Sequence, residues 1–409
     1  MLTFIVLALA IGLFMAWNIG ANDVANAMGT SVGSGALTLK QAILVAAVFE
    51  SAGAILVGAH VTSTIKGGIL APELFTDTPE IFMFGMAAAL LGAAIWLLIA
   101  TVLGLPVSTT HSIVGAVVGF GIIAVGWGNV NWGTMTSIVL SWVVSPLCGG
   151  LIAFLTFRFI SRKIILADSP YDATVRWTPY LVAMVGFTLS LSILYKGLKN
   201  LNLDLPFSVA GPVCFAIGGV LGLSMRAWVR RRHRPTGFSV VAVERLFAGL
   251  QVITAAYVAF AHGANDVANA IGPLAGIMQV YQEGTLAAKA PVPIWILVLG
   301  GVGIVLGLAT YGYKVIGTVG HKITSMTPTR GFSAEFGAAT TVLAASRLGL
   351  PISTTHTLVG AVIGVGFAGG LAALNLRVIR NIATSWIITI PAAGSVSVVA
   401  FYALKYLFG

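Results

Sequence analysis

The chain has 409 residues, of which 58% are hydrophobic and only 8% charged, with a net charge of +10. Soluble domains carry about a quarter charged residues, so this composition excludes an ordinary soluble domain and points to a polytopic membrane protein. The positive charge does not indicate nucleic acid as a partner, because the basic residues sit in short loops between apolar runs, as cytoplasmic loops do.

In chain order, apolar segments fall near residues 2–19, 40–62, 81–103, 108–126, 134–157, 178–195 and 206–227. They continue near 245–262, 292–316, 333–349, 352–371 and 382–408. The first lacks a basic leader and an A-x-A-like cleavage site and reads as a retained span. The pairs 81–103/108–126 and 333–349/352–371 are separated by a few residues containing Gly and Pro, and each reads as a re-entrant-type hairpin. The expected fold is an all-α integral membrane protein with about 12 membrane segments. Cys148 and Cys214 lie in apolar stretches and suggest neither a disulfide framework nor a metal site.

Two motifs occur twice. GANDVANAMG at 20–29 matches GANDVANAIG at 263–272 in nine of ten positions, and LGLPVSTTHSIVGAVVG at 103–119 matches LGLPISTTHTLVGAVIG at 348–364. The same order at nearly the same offset means a duplicated unit. With the N-terminus outside, sixteen of the 22 basic residues fall on the cytoplasmic side; Lys66, Lys196, Lys199, Lys289 and Lys405 fall outside, and Arg347 lies in a membrane segment. On that count the first repeat begins outside and the second inside, so the repeats are inverted, as in alternating-access transporters. The expected organisation is a first repeat over 1–160, two spans and a basic linker over 161–242, and a second repeat over 243–409. Both termini are expected outside and the loop 226–245 in the cytoplasm. The stretch RAWVRRRHRP at 226–235 reads first as a linker, with a lipid-headgroup or regulatory role as the alternative.

An ionised Asp in the hydrocarbon region costs several kcal/mol, roughly, unless it lines a cavity or has a partner. Asp23 and Asp266 therefore need compensation. Gly20 and Gly29, and Gly263 and Gly272, flank the two motifs and suggest a break in each helix that would free backbone carbonyls. Together with Asn22, Asp23 and Asn26, or Asn265, Asp266 and Asn269, these give an oxygen ligand set suited to a hard cation. Capping and interhelical hydrogen bonding would explain one such copy equally well; two inverted copies favour ion binding. In the second motif, Pro106 and Pro351 precede Ser108, Thr109 and Thr110, and Ser353, Thr354 and Thr355. That is a helix start, where free N–H groups, the positive dipole end and hydroxyl donors form an anion cradle. Capping alone is the simpler account of a single copy, with His111 and His356 as packing residues. Carboxylates beside an anion repel it unless cations intervene, so anion and cation occupancy should be linked. A Ser–His hydrolase fits poorly, since a Ser and a His three positions apart on one helix meet badly and no acid orients the ring; a channel fits poorly with closed hairpin tips.

At the paired GANDVANA, PVSTTH at 106–111 and PISTTH at 351–356, the chain resembles the inorganic phosphate transporter (PiT) family over its whole length. The resemblance implies inorganic phosphate as substrate, symport across the plasma membrane, a homodimer and no cofactor beyond a co-transported ion. The run GANDVANAMGTSVGSGALTLKQA and the VFES that carries Glu50 look like the sodium-coupled branch, which implies Na⁺ bound at the Asn and Asp residues above; proton or metal-phosphate coupling is the alternative. Family likeness also implies a coupling or supporting role for Glu50 and Glu335, and it marks His262 without assigning it that role. His262 aligns with Ile19 in the first repeat, so packing explains it as well as function does. The long hydrophilic central loop of animal members is missing, and functions tied to it do not carry over.

Overall fold

In a bilayer no water satisfies backbone N–H and C=O groups, so an apolar chain must close its hydrogen bonds within helices. The computed structural model describes residues 1–57, 68–194, 205–231, 240–284, 292–347 and 352–409, and its regular structure there is helical, with one isolated bridge between Leu70 and Val130. The elements are α1 (Leu2–Gly33), α2 (Leu39–Val57), α3 (Pro79–Val102), α4 (Thr109–Val125), α5 (Trp132–Ile165), α6 (Pro170–Ser192) and α7 (Phe207–Arg231). The chain continues as α8 (Val240–Glu283), α9 (Ile294–Tyr311), the short α10 (Tyr313–Gly317) with a π-turn at Thr318–Lys322, α11 (Pro328–Arg347), α12 (Thr354–Ala368) and α13 (Leu376–Phe408). Among the described residues, seven helices (α1, α3, α5, α7, α8, α9 and α13) are long and apolar enough to cross a membrane. Lys66, Lys196, Lys199, Lys289, Pro351 and residues 232–239 of the basic linker lie outside the described residues, as does the side chain of Arg347.

The helices α4 and α12 have 17 and 15 residues. At 1.5 Å per residue they reach only about 22–26 Å, less than the roughly 30 Å of a hydrocarbon core. Each is followed by the same device. Gly126 (φ +89°) and Gly370 (φ +102°) adopt a backbone conformation that only glycine enters without strain. A single 3₁₀ turn follows, and then Asn131 and Asn375 cap the next helix by accepting the N–H of Thr134 and Val378. The hairpins and the long helices embrace reciprocally: α5 packs on α11 and α12, while α13 packs on α3 and α4.

The motif helices are not broken. The segments expected to stop near 19 and 262 run on through GANDVANA to Gly33 and Glu283. In the first copy Gly20–Val24 forms one π-helical turn; in the second the α-helix is continuous. The glycines serve close approach instead. A side chain at Gly20 would collide with the Ile304 carbonyl of α9, and one at Gly263 with the Glu50 carbonyl of α2. Small residues at helix interfaces let backbones meet in this way.

Candidate functional site

The two aspartates and the two hairpin tips meet in one buried cluster. Asp23, in the π-turn of α1, accepts a hydrogen bond on Oδ2 from Thr109 Oγ1 at 2.8 Å, and on Oδ1 from Thr355 Oγ1 of the other hairpin. Asp266 on α8 accepts on Oδ2 from Thr354 Oγ1 at 2.9 Å and on Oδ1 from Asn265 Nδ2 at 3.1 Å. Asn269 Nδ2 reaches back to the first hairpin, donating to Thr109 Oγ1 at 3.0 Å and to Thr110 Oγ1 at 3.2 Å. Each carboxylate thus holds a hydroxyl from the hairpin of its own half, and Asp23 and Asn269 also cross to the opposite one. Asp23 and Asp266 are at most 2% exposed, so these bonds act where water does not compete.

Ser108 and Ser353 begin the helices. Their Oγ atoms accept the N–H of His111 at 3.2 Å and of His356 at 3.1 Å. The other first-turn N–H groups have no intrahelical partner, as at every helix start. The imidazoles of His111 and His356 do not meet these serines. They contact each other edge to face at 4.6 Å, and His356 stacks on Trp386 at 3.7 Å, with His111 4.9 Å from Trp142. Trp386 Nε1 in turn donates to Pro106 O at 3.0 Å, bracing the first tip.

The cation set differs from the expected pair of all-oxygen cages in three ways. Asn22 is committed elsewhere: its Nδ2 donates to Thr101 Oγ1 and Leu105 O, and its Oδ1 accepts from Val107 N–H, which pins the turn between α3 and α4. The π-turn separates Asn22 from Asn26, which a regular helix would aim the same way. With no break in the helix, the ligand atoms come from side chains, not from freed carbonyls. Third, His262 stands at the centre. Its Nε2 lies 2.7 Å from Asp266 Oδ2 and 3.5 Å from Asp23 Oδ2, and its Nδ1 lies 3.0 Å from Glu50 Oε2. The spacing of His262 and Asp266, one helical turn apart, was a usable sequence signal; the approach of Glu50 from α2 was not.

Asp23, His262 and Asp266 offer ligand atoms within 4.8 Å of one another. Beside them lies a cavity of about 20 Å³ lined by Asp23, Asn26, His262 and Thr354 together with apolar residues that include Ala261, Ala338, Val342 and Leu358. That holds about one water-sized group and is too small for a tetrahedral oxyanion unless the tips move. The buried Asn26 Oδ1 and Glu50 Oε1 have no hydrogen-bond partner among the described residues. Unsatisfied acceptors at a site this buried fit a bound cation. Glu335 is not in this cluster. On α11 it accepts from Thr30 Oγ1 at 2.7 Å, Ser31 Oγ at 2.6 Å, Gln251 Nε2 at 3.0 Å and Thr254 Oγ1, a separate oxygen-rich pocket one to two turns further along α1.

Fold and site together define a multi-pass helical membrane protein with a buried polar and acidic centre, the class to which transporters belong. Comparison with known proteins narrows the class: the model of the phosphate transporter family matches residues 19–397, and the chain belongs to that family. A protein of Pyrococcus furiosus named "Putative phosphate permease" is 48% identical over 405 residues, covering 99% of this chain and 97% of that protein. A protein of Haemophilus influenzae with the same name is 46% identical, with 97% and 96% covered. A solved structure titled as the sodium-dependent phosphate transporter superposes with a TM-score of 0.90 at 44% identity, covering 99% of this chain and all of that one.

Proposed function

We propose that this protein is a sodium-coupled symporter of inorganic phosphate, working by alternating access of two inverted repeats (1–160 and 243–409) in the plasma membrane. The α3–α4 and α11–α12 pairs act as re-entrant hairpins among about 12 membrane segments, with both termini outside and the protein a homodimer. The observation that carries the reading is the sharing of Thr109, Thr354 and Thr355 hydroxyls with Asp23 and Asp266. These are the donors a phosphate would need, and the carboxylates hold them. Na⁺ bound by Asp23, Asn26 and Asp266 takes over the carboxylate lone pairs and screens their charge. The hydroxyls of Thr109, Thr110, Thr354 and Thr355 then turn to the anion, and the helix starts at Ser108 and Ser353 add N–H donors and positive dipole ends. Phosphate is recruited only after its cation, which is the coupling a symporter requires. Glu50 and Glu335 support the coupling from the flanks of the site, Glu50 through His262.

One feature favours proton coupling instead: the Glu50–His262–Asp266 chain is continuous at 3.0 and 2.7 Å and could pass a proton. Phosphate uptake into proteoliposomes separates the two. With internal and external pH equal, an inward sodium gradient is expected to drive accumulation, and replacing sodium by choline to reduce it at least tenfold. Uptake that persists without sodium and follows an imposed pH gradient overturns sodium coupling.

A further inference from the structure

Away from the transport site, α6 and α7 form an antiparallel pair joined by close backbone packing. A side chain at Gly218 would meet the Ala183 carbonyl, and one at Gly222 the Pro179 carbonyl 2.6 Å away. Small residues therefore floor a groove, and large ones wall it. The groove has a volume of about 910 Å³ and its walls include Tyr180, Met184 and Phe187 on α6 and Phe215 and Leu223 on α7. Tyr180, Phe215 and Leu223 are 64%, 75% and 66% exposed, so the walls stand open to their surroundings. At one end the groove meets Arg176, near the start of α6, and Arg226 and Arg230, in the last turns of α7, with Asp172 as the one acid. Neither Arg226 nor Arg230 has an ion-pair partner among the described residues. By the excess of basic loops, this end faces the cytoplasm.

We infer that the α6–α7 groove is a binding site for one anionic phospholipid, its acyl chains in the apolar groove and its headgroup phosphate on Arg176, Arg226 and Arg230. The charge decides the occupant. An uncharged apolar partner would leave three arginines uncompensated beside one aspartate, whereas a diacyl lipid with an anionic headgroup matches both ends at once. Basic pockets between helices on the cytoplasmic side select such headgroups. The site lies outside both repeats, so it acts on anchoring or assembly and not on phosphate chemistry.

The test uses full-length protein in neutral detergent, titrated with phosphatidylglycerol or with phosphatidylcholine of the same chains and read by native mass spectrometry. One phosphatidylglycerol per chain is expected to remain bound, with at least tenfold preference over phosphatidylcholine. Replacing Arg176, Arg226 and Arg230 by glutamine should lower that affinity about fivefold for each arginine removed. Gly219→Leu is the second variant. Gly219 lines the groove and has nothing within 4 Å of where its Cβ would stand, so leucine fills the space, keeps every arginine and should also eject the lipid. Equal binding of phosphatidylcholine, or undiminished phosphatidylglycerol on Gly219→Leu, overturns the site. Loss of dimers with no bound lipid in either state shows that a second copy fills the groove, and overturns it too. Should Gly219→Leu fail to fold, the arginine variant, altered only at exposed positions, decides alone.

Discussion

Asp23→Asn and Asp266→Asn are each expected to abolish the proposed sodium-driven phosphate uptake while the protein still inserts and folds. A unit charge about 4 Å from a cation is worth roughly 4 kcal/mol at the effective dielectric of a protein. Removing either carboxylate charge should therefore raise the half-saturating sodium concentration by more than about a hundredfold, beyond practical concentrations. The amide keeps the shape and one acceptor oxygen, so the threonine hydroxyls retain partners and the fold survives. Both aspartates should matter alike, because each accepts from a hairpin threonine and each faces His262. The check is uptake against sodium concentration in proteoliposomes, with circular dichroism on the same preparations. Unchanged sodium dependence in both variants would exclude the aspartates as cation ligands.

Thr355→Val should chiefly weaken phosphate. Valine keeps the branched shape and removes one hydroxyl, the one that crosses from the second hairpin to Asp23. A hydrogen bond to a charged group contributes about 1.5–3 kcal/mol, so the half-saturating phosphate concentration should rise about 10- to 100-fold. The sodium dependence should shift far less. Thr109→Val removes the matching donor of the first hairpin, and because Thr109 also accepts from Asn269 it should cost at least as much. Initial rates against phosphate at saturating sodium measure both. A phosphate affinity equal to that of the unaltered protein in both variants would show that these hydroxyls only brace the tips.

Much of this architecture was legible in the sequence because duplication and hydropathy are strong, local signals. The apolar runs map onto the helices in order, and the doubled Asp and STTH motifs carry side chains that meet in space. What the sequence did not show was tertiary. Glycines beside an acidic motif suggested broken helices, but Gly20 and Gly263 answer to the carbonyls of Ile304 and Glu50 on neighbouring helices, which no local pattern reports. Polar side chains from α3, α4 and α12 satisfy the motif residues, so the backbone need not open to do so. Asn22 and Asn26 looked equivalent one turn apart, and a single π-turn sends one to the hairpin and the other to the cavity. For His262 the sequence left packing and function equally open, because its counterpart in the first repeat is Ile19. The site breaks the symmetry of the duplication at that position, placing one imidazole among three carboxylates that come from α1, α2 and α8. Glu335 and Glu50, grouped together by family likeness, occupy two separate pockets.

On the proposed reading the shared hydroxyls set the binding order: while Asp23 and Asp266 hold those of Thr109, Thr354 and Thr355, phosphate meets two carboxylates and lacks three of its donors. Coupling between two ligands is reciprocal, so it can be read from binding alone, without transport. Isothermal calorimetry of phosphate binding to the purified protein, repeated over a series of sodium concentrations with choline keeping ionic strength constant, is the most direct measurement. Phosphate should produce no binding heat without sodium, and its affinity should climb steeply as sodium is added. Phosphate binding of the same affinity with and without sodium would contradict the account.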